Sequence, residues 1–436
     1  MTFSKLAPLT SLLLGLANGI SLQSSALGNL DPTSAEHFVH FIKEHRRTYQ
    51  EGSEEYDMRF ALFQENIASV RSQNGRSDRR WSAAVNALSD RSPDELQRLR
   101  GYRHGAKPDG GGSAGALGLV STSLRTVDVS KIPKDLAYKN LKAMQAVQDQ
   151  GGCGSCWAVS SATVLRAHAE LYQEDRTFST QQIVSCTPNP KKCGGSGGCG
   201  GATAELAMDY IAKAGAVTEE TLAYQAANGE CPSTLKAPKQ NLRSVLKNAV
   251  AFPGVSIVGG GGASFGMIGW KKLPENKAEP LMLALYEDGP VVVSVAASTP
   301  WNIYSSGIMD SCEKEVVINH AVALVGFGED NGLKYWTIQN SWGSSWGEAG
   351  FARLPRLDSE EENNYCGWDK SPKDGTACDG GPDKVWVCGS CGRSAVMDAP
   401  DKTYRPIMGC RLSQLGCRRM LSGHAGRTGK RNNTDM

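Results

Sequence analysis

The first 152 residues contain no cysteine, whereas all 13 cysteines of the 436-residue chain lie at or after Cys153. The front third of the molecule must therefore be held by packing, hydrogen bonds and charge alone. Net charge is almost absent: 47 Lys and Arg stand against 45 Asp and Glu, a formal +2. So balanced a chain offers no electrostatic footprint for nucleic acid as a partner. Long apolar runs are also missing, apart from "LAPLTSLLLGLA" near the start, which is too short and interrupted to cross a bilayer. With Lys5 before it and the small Ala17 and Gly19 after it, this run reads as a secretory signal peptide over residues 1–19, an anchor being the alternative. Passage through the secretory pathway permits disulfides, and an odd number of cysteines leaves one thiol unpaired. Histidine is scarce, with 7 in the chain.

Residues 32–100 are polar and charged. Within "EEYDMRFALFQENIASVRSQN", the residues Glu55, Arg59, Phe63, Asn66, Val70 and Asn74 recur at intervals of three or four and so share one face of a helix. Taken alone, such a stripe is also what the packed side of an ordinary helix presents. Residues 101–127, with "GAKPDGGGSAGALGLVSTS", form a flexible, cleavable linker. A cysteine-rich body follows over residues 128–406, its ordered part beginning near Ile132, and a basic tail occupies 407–436. In the body, "CWAVSSATVLRAHAELYQ" and "GATAELAMDYIAKAG" read as helices. "VVVSVAA", "HAVALVGFG", "KYWTIQN" and "GFARL" read as strands, and "VGGGGASFG" as a surface insertion. Helices first and strands later predict an α+β body with two lobes.

The segment "QDQGGCGSCWAVSS" sets Cys153 and Cys156 close together. Such a pair can be a redox dithiol, half of a metal site, or a half-cystine beside a nucleophile. No βαβ pattern precedes it to favour a dithiol. Cys156 opens the predicted helix, where the dipole and free N–H groups favour a thiolate. A nucleophile needs a base, and the body and tail offer three histidines. His168 lies about 18 Å along the same helix, and His424 belongs to the tail. His320, at the start of a strand, is the candidate. Asn340 ends the next strand and can orient the imidazole, with Trp342 shielding that bond. Gln150 can add a side-chain N–H to the Cys156 backbone N–H as an oxyanion hole.

These segments resemble the papain family of cysteine peptidases, in its cathepsin L-like branch. "QGGCGSCW" is similar to the family's nucleophile segment, "NHAVALVGFG" to its histidine strand and "NSWGSSWGEAGF" to its asparagine segment. The Glu55–Asn74 stripe resembles the helix motif of that branch's inhibitory propeptide, with Val70 for the usual isoleucine. The second propeptide motif survives at Asn86 and Asp90, while Ala84 and Leu88 replace its Gly and Phe. The resemblance implies a papain-like two-lobed fold, with a helical left lobe and a β-barrel-like right lobe, preceded by an α-helical inhibitory prodomain. It implies a cysteine endopeptidase made as a zymogen and activated at acidic pH, with a silent peptide-binding relative or an exopeptidase as alternatives. It implies catalysis by Cys156, His320, Asn340 and Gln150, and substrate contacts from Gly201, Ala202, Thr203, Ala204, Asn319 and Trp342. The small Thr203 and Ala204 predict a roomy S2 pocket on the acyl side of the substrate. The floor of that pocket, expected just after Cys366, is interrupted by "DKSPKDGTACDGGPDKVWV".

The resemblance further implies the pairs Cys153–Cys199, Cys186–Cys231 and Cys312–Cys366. Of the rest, two bridges are expected among Cys193, Cys378, Cys388 and Cys391, tying the interruption to the "KKCGGSGGC" loop, and one between Cys410 and Cys417; a zinc site at Cys378, Cys388 and Cys391 is the alternative. No cofactor or metal is expected. The implied partners are polypeptide substrates and the chain's own propeptide acting on a monomer, in a lysosome, a vacuole or outside the cell.

Overall fold

A computed structural model describes residues 35–101, 132–172, 174–236 and 270–392, with short strands at 265–266, 397–400 and 407–408. The signal peptide, the linker, the Gly-rich insertion up to residue 264, Cys410, Cys417 and His424 lie outside the described residues.

The front piece is built on two helices, α1 (Ala35–Glu44) and α2 (Glu54–Gly75). Ser53 caps α2 by accepting from the Tyr56 N–H. Phe38 and Phe41 of α1 meet Tyr56, Phe63 and Ile67 of α2 in a small core of their own. A short strand β1 (Trp81–Ala83) and helix α3 (Pro93–Leu99) follow. Pro93 supplies the fixed φ of a first turn, and Ser92 and Glu95 cap each other's backbone N–H groups.

In the body, a strand β2 (Leu136–Ala137) leads to helix α4 (Cys156–Tyr172), then α5 (Thr180–Cys186), α6 (Ala204–Ala214) and α7 (Ala278–Glu287). The strands are β3 (Trp270–Lys272), β4 (Val291–Val295), β5 (Tyr304–Gly307), β6 (His320–Asp330), β7 (Leu333–Gln339), β8 (Phe351–Pro355), β9 (Cys366–Asp369), β10 (Val385–Cys388) and β11 (Met397–Pro400). The main sheet has the order β3-β11-β4-β6-β7-β8, with β2 paired to β6. Its central strands sort their residues by alternation. Val292, Ala321, Ala323 and Val325 join the helical core around α4, whereas Val291, Val293, Val295, Val322 and Leu324 join a second core with Trp301, Trp336 and Trp346. The alanines let α4 approach the sheet, and the two cores are the two lobes.

The front piece docks on the second lobe. β1 pairs antiparallel with β5, Trp81 opposite Gly307, and Trp81 Nε1 donates to Ser311 Oγ at 3.0 Å. Among the described residues, no helix is long and apolar enough to cross a membrane.

The disulfides include Cys153–Cys199, Cys186–Cys231 and Cys193–Cys378. The expected Cys312–Cys366 pair is replaced by Cys312–Cys391 and Cys366–Cys388. The cause is the β9–β10 hairpin, whose register sets Cys366 directly opposite Cys388 and leaves Cys312 to the next cysteine along. Cys378, Cys388 and Cys391 are thus all spent in disulfides, and Cys156 is the free cysteine among the described residues.

Candidate active site

The turn before α4 is fixed on both sides. The Gln150 N–H donates to Ser341 O at 2.8 Å, the Gly154 N–H to Cys199 O at 3.1 Å, and Trp157 Nε1 to Gly198 O at 3.2 Å. These bonds and the Cys153–Cys199 bridge aim the start of α4 at the groove between the lobes. Cys156 sits there, 3% exposed. Burial pushes its thiol up to about 11, against the pull of the Ala321, Trp157 and Cys156 backbone N–H groups. Ala321 follows His320, so the sulfur lies beside the start of β6.

His320 Nε2 is 2.8 Å from Asn340 Oδ1, and that oxygen also accepts from the Ser341 N–H at 2.8 Å. The Trp342 ring lies tilted over the imidazole with centroids 5.1 Å apart, and Trp301 meets it edge-on at 6.0 Å. With Nε2 engaged, Nδ1 is the nitrogen free for proton exchange, and it is buried with no hydrogen-bond partner among the described residues. Burial lowers His320 to about 4; the Asn340 bond opposes this and the nearby Arg100 guanidinium adds to it.

Gln150 is fully buried. Its Nε2 donates to Cys153 O and, at 2.8 Å, to Leu99 O, a carbonyl of the front piece. The chain after α3 thus runs into the groove. Gly101 has φ +68°, and a Cβ on it would lie 2.9 Å from Cys156 Sγ. A Cβ on Gly154 would lie 2.8 Å from Arg98 O, and one on Gly201 only 1.5 Å from Gly101 O. Glycines on both sides of the contact are what allow two backbones to pass so closely. Arg100 is half-buried and donates to Asn302 Oδ1 at 3.2 Å.

The other expected substrate residues line this groove unevenly. Gly201 faces the incoming chain, the Ala202 carbonyl lies against Gly194, and Thr203 stands at the N-cap of α6, which the buried Ala204 begins. Asn319 is occupied in holding the backbone of Ala297 from both sides.

The helix stripe works as a set of anchors. Arg59 reaches Glu95 and Asp90 O, Asn66 donates to Ser89 O at 3.0 Å, and Asn74 both donates to Ala83 O and accepts from its N–H. Asn86 Nδ2 donates to Asn302 O of the body at 2.9 Å. Asp90 is buried and accepts from Arg47 through two nitrogens, at 2.7 and 2.8 Å, and from Tyr49 Oη at 2.6 Å. Sequence spacing gave no signal for Arg47, Tyr49, Glu95, Leu99 or Arg100, because each acts across a loop or through its backbone.

A buried thiol at a helix start, an imidazole held by an amide, and an N-terminal segment lying across both define the precursor of a cysteine protease. Residues 132–254 and 261–375 match the papain family cysteine protease, and residues 38–96 match the cathepsin propeptide inhibitor domain (I29). The chain belongs to the papain family, with an I29 prodomain ahead of the protease. It is 28% identical to procathepsin L of Mus musculus over 78% of this chain and 92% of that one, and 27% identical to a cathepsin L-like proteinase of Phaedon cochleariae over 77% and 91%. It is 29% identical to the oryzain beta chain of Oryza sativa subsp. japonica over 69% of this chain, and spans only 58% of that relative. Among solved structures, procathepsin L 3 of Tenebrio molitor larval midgut superposes with a TM-score of 0.59 at 23% identity, covering 84% of this chain and 98% of that one. A recombinant stem bromelain precursor gives 0.60 at 24% identity, covering 85% and 99%.

Proposed function

We propose that this protein is a cysteine endopeptidase in which Cys156 is the nucleophile, His320 the acid–base, Asn340 the residue that orients it, and Gln150 with the Cys156 N–H the oxyanion hole. The thiolate attacks the scissile carbonyl carbon and the oxygen takes up negative charge against Gln150 Nε2. The imidazolium gives its proton to the nitrogen as the C–N bond breaks, leaving a thioester. His320 then takes a proton from water, which attacks the thioester; the C–S bond breaks and the acid leaves. Polypeptides are the substrates. Gly201, Ala202, Thr203 and Ala204 line the acyl side and Trp342 the leaving side. Asn319, whose side chain is already bonded to Ala297, supports that wall.

The observation that carries this reading is the Leu99 carbonyl at 2.8 Å from Gln150 Nε2, beside Cys156: the groove already binds a peptide carbonyl where the charge would develop. The same covering explains inhibition. Burial raises the Cys156 thiol and lowers the His320 imidazole, so that both are predominantly neutral at about pH 7, and a neutral thiol is a poor nucleophile. Release of the segment rehydrates the pair and removes Arg100, which shifts both toward the thiolate–imidazolium form. We infer that residues 32–127 are this inhibitor, removed on acidification. The protein acts as a monomer, without metal or cofactor, after entering the secretory pathway; one relative, from Arabidopsis thaliana, is named a KDEL-tailed cysteine endopeptidase.

The test is peptide hydrolysis by Cys156→Ala protein whose front piece has been removed by an added protease of another catalytic class, because this variant cannot cleave itself. Loss of turnover with an unchanged circular dichroism spectrum supports the assignment. Undiminished turnover refutes it.

A further inference from the structure

The segment that interrupts the sequence after Cys366 crosses from one wall of the groove to the other. On the second lobe, the buried Asp369 carboxylate accepts from the Ile318 N–H at 3.2 Å, and a Cβ on Gly375 would lie 1.9 Å from Ile318 O. Ile318 stands two residues before His320. On the helical lobe, the Gly194 N–H donates to Ala377 O at 3.1 Å, the Asp379 N–H donates to Lys191 O at 2.7 Å, and Cys378 is bonded to Cys193. Gly194 in turn supports the wall: a Cβ on it would lie 2.7 Å from Ala202 O and 3.1 Å from Thr203 Cγ2. From Ile318 to Gly194 the crossing takes residues 375 to 377. It is short, anchored at both ends, and covalent at one of them. The papain-family match ends at residue 375, within this segment.

We propose that residues 369–381 are a strap that closes the acyl-side end of the groove, so that only substrate residues lying between the strap and Cys156 are bound. The inference rests on the assignment of Cys156 as nucleophile and of Ala202 and Thr203 to the acyl side. A peptide lengthened at its amino end meets the strap where an open groove would offer further contacts. The strap is thus a specificity device: it sets how far from the scissile bond the enzyme reads, in place of the open pocket that the small Thr203 and Ala204 suggested.

The test is kcat/KM of the acid-converted enzyme on capped peptides with a fluorogenic leaving group, extended one residue at a time at the amino end. For the wild type, kcat/KM is expected to stop rising, or to fall, once the peptide reaches the strap. In Cys193→Ala/Cys378→Ala it should continue to rise, gaining about tenfold or more on the longest peptides. Gly375→Val, which pushes the strap off Ile318 while keeping the disulfide, should do the same and covers the case in which the double variant fails to fold. A wild-type kcat/KM that climbs with every added residue overturns the proposal, as does a plateau unchanged in the folded variants. Absence of turnover on every peptide, the shortest included, would instead count against Cys156 as nucleophile.

Discussion

Gln150 Nε2 donates to the carbonyl of Leu99, 51 residues earlier in the chain, at 2.8 Å. The group proposed to hold the oxyanion in catalysis is the group that holds the inhibitory segment before activation. Gln150→Ala should therefore weaken both. In the acid-converted enzyme kcat is expected to fall by about 10²–10³, with KM little changed, and the precursor should convert at a higher pH than the wild type. Steady-state kinetics beside a pH profile of linker cleavage by an added protease, which does not depend on the variant's own kcat, separate the two effects.

Gly101 sits against Cys156 Sγ and Gly154 at a positive φ of 68°. Gly101→Val adds bulk where there is no room and strains the backbone, so the segment must lift from the groove. The expected outcome is a precursor that hydrolyses peptides at neutral pH without losing residues 32–100, measured on protein verified as full-length by mass spectrometry.

Acid should act through Glu95. Burial pushes this carboxyl up, but the Arg59 hydrogen bond, the Ser92 N–H and the charges of Arg59 and Arg91 outweigh it and hold the group at about 2, against an ordinary 4.5. A carboxylate depressed in the folded state stabilises that state above its ordinary value and loses the contribution as pH falls toward the folded value. The grip of α3, and with it the placement of Leu99, thus weakens from about pH 4.5 downward. Glu95→Gln should convert at higher pH and with a flatter pH dependence, read by electrophoresis of precursor held at a series of pH values.

Asp90 is buried and accepts three hydrogen bonds from Arg47 and Tyr49. Asp90→Ala leaves the partly buried Arg47 guanidinium with the Ala87 carbonyl but without its carboxylate, a loss of charge-assisted hydrogen bonds worth about 1–3 kcal/mol. Unfolding of the prodomain in urea, followed in a Cys156→Ala background so that no self-cleavage intervenes, should shift to markedly lower denaturant.

The two lobes were legible because their text is periodic. "VVVSVAA" from Val291 and "HAVALVGFG" from His320 read as strands from their valines, and alternation then decided which lobe each residue serves. Cys156 was legible as a helix start, and His320 by elimination among few histidines. The pairing of Cys312 and Cys366 was not, because it turns on the register of a hairpin in which Cys366 meets Cys388. The descent of Leu99, Arg100 and Gly101 into the groove was also hidden: backbone carbonyls and glycines make those contacts, and no side-chain pattern announces them. Arg47 and Tyr49 were invisible for a related reason, since a loop brings them to Asp90 from outside the helical stripe.

The central claim is that Cys156 is the nucleophile and that the front piece covers it. Mass spectrometry after treatment with a thiol-directed peptidyl epoxide tests both halves at once. The acid-converted protein should take up one equivalent, located on Cys156, while the intact precursor at neutral pH takes up almost none. Equal labelling of the precursor, or a label on any other residue, would contradict the account.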